Sequence, residues 1–139
     1  TQPNGSRVAF MPADIDRQYD VFNLPDHGNL LANLVRWAAK DSIPLAVEGR
    51  GMVDCNLYEQ ANRMILHVVN LTNSATWRAP IDELIDIGPF LIKVKWNKKV
   101  RATALRLLVS GKKVSPVIRE GWVSFQIESI LDHEVIVIS

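Results

Sequence analysis

Residues 62–72, NRMILHVVNLT, constrain this chain more than any other stretch. Large apolar and β-branched residues crowd it, and turn-forming pairs bound it, Ala61-Asn62 before and Asn73-Ser74 after. That combination reads as a β-strand. Met64, Leu66 and Val68 point one way, while Ile65, Val69 and Leu71 point the other. Apolar residues on both faces suit a strand in the middle of a sheet, covered on each side.

Beyond Pro44 nearly everything alternates by two. Val53, Cys55 and Leu57 oppose Asp54, Asn56 and Tyr58, and a tight turn at 59–62 leads into the central strand. Residues 73–87 read as a long connection, of a length that fits a crossing between two sheets better than a hairpin. Phe90, Ile92, Val94 and Trp96 then alternate with Leu91, Lys93, Lys95 and Asn97, giving one apolar and one mostly wet face. After a turn at Asn97-Lys98-Lys99, the residues Thr103, Leu105, Leu107 and Val109 supply another inward face. Ser110-Gly111-Lys112 is a hairpin turn, and Gly111 can take the positive φ that such turns need. A short strand over 114–118, a turn at Arg119-Glu120-Gly121, an alternating strand with Val123, Phe125 and Ile127 inward, and a last strand over 133–138 complete the pattern. The expectation is a mainly β chain: an antiparallel β-sandwich of about seven to eight strands.

Residues 1–42 follow another rhythm. RVAFMPA (7–13) reads as a strand, 14–25 as a loop, and Asp26 as the N-cap of a helix reaching Lys40. Leu30, Leu31, Leu34, Val35 and Ala38 fall on one helical stripe, Lys40 suits the negative end of the dipole, and Pro44 bars continuation. One strand and one helix cannot bury both their faces. A βα unit over 1–42 therefore calls for cover from the sandwich (43–139) or from a domain upstream.

The bulk chemistry excludes several classes. Sixteen basic and fifteen acidic residues give a net charge of +1, which gives no reason to expect a nucleic-acid partner or an anionic membrane. No apolar run approaches the ~20 residues of a membrane span, and the visible N-terminus has no secretory pattern; the compartment stays open. A lone cysteine, Cys55, cannot form an internal disulfide.

Nothing along the chain assembles a catalytic centre, and nothing calls for a cofactor. His27, His67 and His133 are too far apart in sequence for metal-ligand spacing, so no metal is expected. Cys55 has neither a histidine beside it nor a helix N-terminus, so it reads as an inert thiol. Glycosidic hydrolysis needs two facing carboxylates. Asp14 and Asp16 follow a strand, with Arg17 and Tyr19 beside them, and as i, i+2 residues on extended backbone they would point the same way. Without partners they read as a solvated loop or a helix cap. Trp77, in the long connection, and Trp122, beside a turn, are the better candidates for stacking on a sugar ring, and Trp96 belongs inside. Lys93, Lys95, Lys98, Lys99 and Arg101 form the one basic patch, without the interleaved aromatics of a single-strand binder. Asn4-Gly5-Ser6 and Asn70-Leu71-Thr72 match the short N-glycosylation pattern.

Two segments carry a resemblance. RVAFMPADIDRQYDVFNLPDHGNLLANLVRWAA (7–39), with Ser6-Arg7-Val8 at its start and Arg36-Trp37-Ala38 near its end, resembles the last strand, loop and helix of glutamine-amidotransferase-like domains in glycoside hydrolases, such as the β-galactosidase trimerisation domain. Ser6 stands where that pattern has glycine. MILHVVNLTN (64–73), IGPFLIKVKW (87–96) and GWVSFQIESILDHEVIVI (121–138) resemble the C-terminal β-sandwich that follows such domains. The resemblance implies a noncatalytic accessory region of a glycoside-hydrolase-like protein, whose catalytic carboxylates would lie upstream. The implied partners are an upstream catalytic domain of the same polypeptide and carbohydrate, with room for a homo-oligomer. A stand-alone carbohydrate-binding sandwich and a module docking a partner through residues 7–40 are the alternatives.

Overall fold

The computed structural model describes residues 5–72, 83–97 and 104–139. The chain divides into two compact units, Thr1–Ile43 and Pro44–Ser139.

In the first unit, helix α1 (Ile15–Phe22) and helix α2 (Pro25–Ala38) pack against each other. Asn23 ends α1 in the left-handed conformation, φ 49°, and its N–H donates to the Tyr19 carbonyl at 2.8 Å. Asparagine tolerates that conformation better than most residues. Pro25 then starts α2 at its first position, where a missing N–H costs nothing. The N-cap of α2 is accordingly Leu24, not Asp26, which lies in the first turn. The helix stops at Ala38, well before Pro44. Lys40 and Asp41 both adopt positive φ, and the Asp41 N–H returns to the Arg36 carbonyl at 2.9 Å. Residues 7–13, expected as a strand, join no sheet, and 15–22, expected as loop, are helical. A strand exists by pairing, and no described strand offers 7–13 a neighbour. The helical signal was present in Ile15, Tyr19 and Phe22, at i, i+4 and i+7.

Among the described residues, the second unit is a mainly β, two-sheet antiparallel sandwich of eight strands. They are β1 (Leu45–Glu48), β2 (Val53–Gln60), β3 (Arg63–Asn70), β4 (Phe90–Lys95), β5 (Leu105–Leu107), β6 (Val117–Arg119), β7 (Trp122–Ile127) and β8 (His133–Ile138). One sheet runs β1-β4-β7-β6 and the other β2-β3-β8-β5, all antiparallel. β3 and β4 lie in different sheets, so the connection between them does cross the sandwich. Leu66, Val68, Ile136 and Ile138 from one sheet meet Phe90, Ile92, Val94 and Val123 from the other, all at most 1% exposed. Each such side chain contributes roughly 1.5–3 kcal/mol by burial.

β3 is interior to its sheet, between β2 and β8. Only its inward set is fully buried; Ile65, His67 and Val69 on the outer face are half-buried, so it is not covered equally on both sides. The alternation of β2, β4 and β7 matches the sequence reading. Two inward assignments fail. Val109 is exposed in the turn after β5, and the strand expected over 114–118 shrinks to Val117–Arg119, because Pro116 cannot donate to a ladder. Glu120 (φ 50°) and Gly121 (φ 78°) form a two-residue β6–β7 turn with both φ positive, the hand that matches strand twist.

Candidate functional site

Two adjoining hollows lie at one end of the sandwich. The larger, about 550 Å³, is bordered by the segment after β5 and the end of β7, with Ser110, Lys112, Lys113, Gln126, Glu128 and Ser129 among its lining. The smaller, about 300 Å³, adds Asp86, Asp132, His133 and Glu134. Three of their four carboxylates are engaged. Glu128 accepts from the Gln126 amide at 2.9 Å, and Asp132 faces His133 Nδ1 at 2.9 Å. Glu134 is buried and accepts backbone N–H bonds from Val109 (2.9 Å), Ser110 (3.1 Å) and Val135 (2.9 Å). Burial opposes its charge, but those bonds and the Ser110 side chain outweigh it and hold the carboxyl below its usual range. Glu134 therefore fixes the turn at the mouth of the hollow, and its lone pairs are already used. Sequence reading marked the Ser110-Gly111-Lys112 turn but missed the cleft, which joins residues distant along the chain.

The outer face of the β1-β4-β7-β6 sheet holds Trp122. Register pairs it with Lys95 on β4 and with Arg119 on β6, so the indole sits between two cations in one cross-strand row. The next row carries Ala46, Lys93, Ser124 and Val117. Lys93 Nζ approaches Glu48 Oε1 at 3.4 Å. Trp122 is half-buried, and Trp96 packs against the core, as its alternation required. Trp77, Lys98, Lys99 and Arg101 lie outside the described residues.

The structure separates the four candidates near the start of α1. Asp14 precedes the helix, makes no side-chain cap bond, and pairs with Arg17 at 3.5 Å in solvent. Asp16 is in the first helical turn rather than on extended backbone. It borders an apolar groove of about 380 Å³ within the first unit, lined by Ala9, Met11, Leu31, Leu34 and Val35 among others. Tyr19 lies against Gly28, where an added Cβ would come within 2.8 Å of the ring. No residue of either helix is buried. Phe10 is 87% exposed, and Phe22 and Val35 are each 61% exposed.

Among the described residues, no group of three His, Cys, Asp or Glu is placed to hold a metal, and no helix is long and apolar enough to cross a membrane. His67 packs edge-on against Tyr58, with ring centroids 5.5 Å apart, and His27 Nδ1 is buried without a hydrogen-bond partner. Cys55 is half-buried among core-facing residues, and burial, with Asp54 adding to it, pushes its thiol up. Asn70 is fully buried, so the motif Asn70-Leu71-Thr72 offers no free amide for a glycan in the folded chain; Asn4 lies outside the described residues.

Fold and surface together define a two-sheet antiparallel sandwich preceded by a helical pair. Among solved structures, this architecture is similar to part of "Alpha-L-fucosidase isoenzyme 2 from Paenibacillus thiaminolyticus", with a TM-score of 0.70 and 14% sequence identity. The likeness covers 90% of this chain and 19% of that one, so the chain spans less than a fifth of its neighbour's length. At that identity the likeness concerns the fold. No protein-family model matches the chain, and no curated protein matches it by sequence.

Proposed function

We propose that this chain is a noncatalytic accessory region of a glycoside-hydrolase-related protein, with its role in carbohydrate metabolism exercised beside a catalytic domain of the same polypeptide. The observation that carries the reading is the fold likeness over 90% of the chain to a small part of a fucosidase. The state of the described carboxylates agrees with it. Glu134, the buried one, is held by backbone N–H groups, and Asp14 pairs in solvent with Arg17. Glu134 shares its hollow with Asp86 and Asp132, but its oxygens are taken up by backbone N–H groups, whereas glycosidic hydrolysis needs two facing carboxyl groups free to act.

A second reading, docking of a partner through residues 7–40, is favoured by the open apolar faces of α1 and α2. Helices without a fully buried residue draw little stability from packing. A covering domain would supply that burial, and the two readings meet if the cover is the catalytic domain itself. The finer likeness of 7–39 to an amidotransferase-like strand, loop and helix draws support from helix α2 but none from 7–13, which join no sheet, or from 15–22, which are helical. The test is turnover of aryl glycosides by the purified chain. The expected result is release at the buffer rate; saturable turnover would reject the noncatalytic reading.

A further inference from the structure

We infer that the outer face around Trp122 binds an acidic glycan, one carrying uronate or sulfate groups; this rests on the carbohydrate reading above and narrows it. Strand register sets three side chains in one row. Lys95 and Arg119 are the direct cross-strand partners of Trp122 on either side. Side chains so paired share a face, with Cβ atoms about 5 Å apart. An indole suits the apolar face of a pyranose, and a cation on each flank can reach an anionic substituent at the ring's edge. Arg119 adds the planar fork that matches carboxylate or sulfate oxygens.

The charge on this face points the same way. Among the described residues, neither Lys95 nor Arg119 takes part in an ion pair, and no cation stacks on Trp122. Glu48, the acid in the same sheet's outer face, is matched by Lys93. Glu120 lies in the β6–β7 turn beyond the row. Ser124 adds a hydroxyl one row along, between Lys93 and Val117. A nucleic-acid strand would use the same charges, but it needs successive aromatics for successive bases. The mapped rows carry one.

The competing account is that the aliphatic stems of Lys95 and Arg119 merely cover the indole. Titration of the full chain separates the two, read through the Trp122 indole N–H resonance, which Trp122→Phe identifies among the four tryptophans. The probes are an oligogalacturonide, neutral maltohexaose, poly-glutamate and oligo-deoxythymidine. The expected result is a saturable shift with the oligogalacturonide alone. It weakens about tenfold or more in the Lys95→Gln/Arg119→Gln double variant. In Trp122→Ala, which has no reporting indole, calorimetric titration with the oligogalacturonide should show no saturable heat, with the thermal midpoint recorded alongside; if Trp122→Ala fails to fold, the double variant decides.

Equal binding of maltohexaose would overturn the acidic class and leave a neutral-sugar site. Equal binding of poly-glutamate or oligo-deoxythymidine would overturn the glycan assignment. No saturable shift, or a double variant that changes stability but not affinity, would overturn the site. The accessory reading is tested separately, by the aryl-glycoside assay, so the two failures are distinguishable.

Discussion

The side-chain amide of Asn70 donates to the carbonyl of Leu131 at 2.7 Å, across 61 residues of chain. The same nitrogen donates to the Ile85 carbonyl at 2.7 Å, while the Oδ1 accepts from the Thr72 N–H at 2.9 Å. One fully buried asparagine at the end of β3 thus ties the segment leading into β4 to the segment leading into β8. Asn70→Ala strips two carbonyls and one N–H of their partners. Each buried polar group left alone costs roughly 1–3 kcal/mol, so a loss of about 3 kcal/mol is expected in urea unfolding. Asn70→Asp should cost more, because it turns a carboxylate toward two carbonyl oxygens. A midpoint unchanged in both variants would dismiss the clip.

Glu134 gives a pH-dependent term. Its carboxyl titrates below the ordinary range in the folded chain, where burial is outweighed by bonds from Ser110, Val109 and Val135. The unfolded chain, near the usual value of about 4.3, takes up the proton first as pH falls. The stabilisation is therefore complete above that value and drains away as pH drops through the lower folded value. Glu134→Gln should remove this slope, and it should lower stability at pH 7 by about 2–3 kcal/mol, since hydrogen bonds to a charged group are the stronger ones. Urea midpoints for both proteins between pH 3 and 7 check it.

Much of the sandwich was legible because its strands are one-sided. Phe90, Ile92 and Val94, or Val123, Phe125 and Ile127, give the period directly, and the Glu120-Gly121 hairpin turn gives a boundary, whereas the turn at Ser110-Gly111-Lys112 follows β5, whose next strand lies in the other sheet. The first unit was less legible for the opposite reason. RVAFMPA has strand-forming residues, but strand formation depends on a neighbour that no local signal reports. The i, i+4, i+7 spacing of Ile15, Tyr19 and Phe22 carries a helical signal that a reading of 14–25 as loop leaves unused. The Trp122 row was half visible. Trp122 stood out as an aromatic beside a turn, but its flanking by Lys95 and Arg119 needs the β4–β7–β6 register, which joins residues 27 apart on one side. The sandwich-end cleft could not be read at all.

Cys55 should behave as a sheltered thiol. Burial, with the nearby Asp54, holds its pKa above the usual value, so little thiolate forms at pH 8. Reaction with a chromogenic disulfide should be slow in the native chain and fast in urea. Replacing Asp54 with Asn should raise the native rate modestly, and a native rate already equal to the unfolded one would show that the thiol is open.

The division at Pro44 leads to the last expectation. The described core belongs to strands β3, β4, β5, β7 and β8 and their connections, and no residue of α1 or α2 contributes to it. Residues 44–139 alone should therefore keep a cooperative transition, with a stability within about 1 kcal/mol of the full chain, since no residue of the described core is removed. The apolar surface of 5–43 should announce itself differently. Phe10, Phe22 and Val35 stand open, and patches of this kind mark sites that bind other surfaces. The full chain should bind a hydrophobic dye such as ANS, and the 44–139 piece should bind markedly less. Phe22→Ser together with Val35→Ser in the full chain should lower dye binding without moving the main transition, because neither side chain is buried. If the truncated piece loses cooperativity, the sandwich depends on the helices.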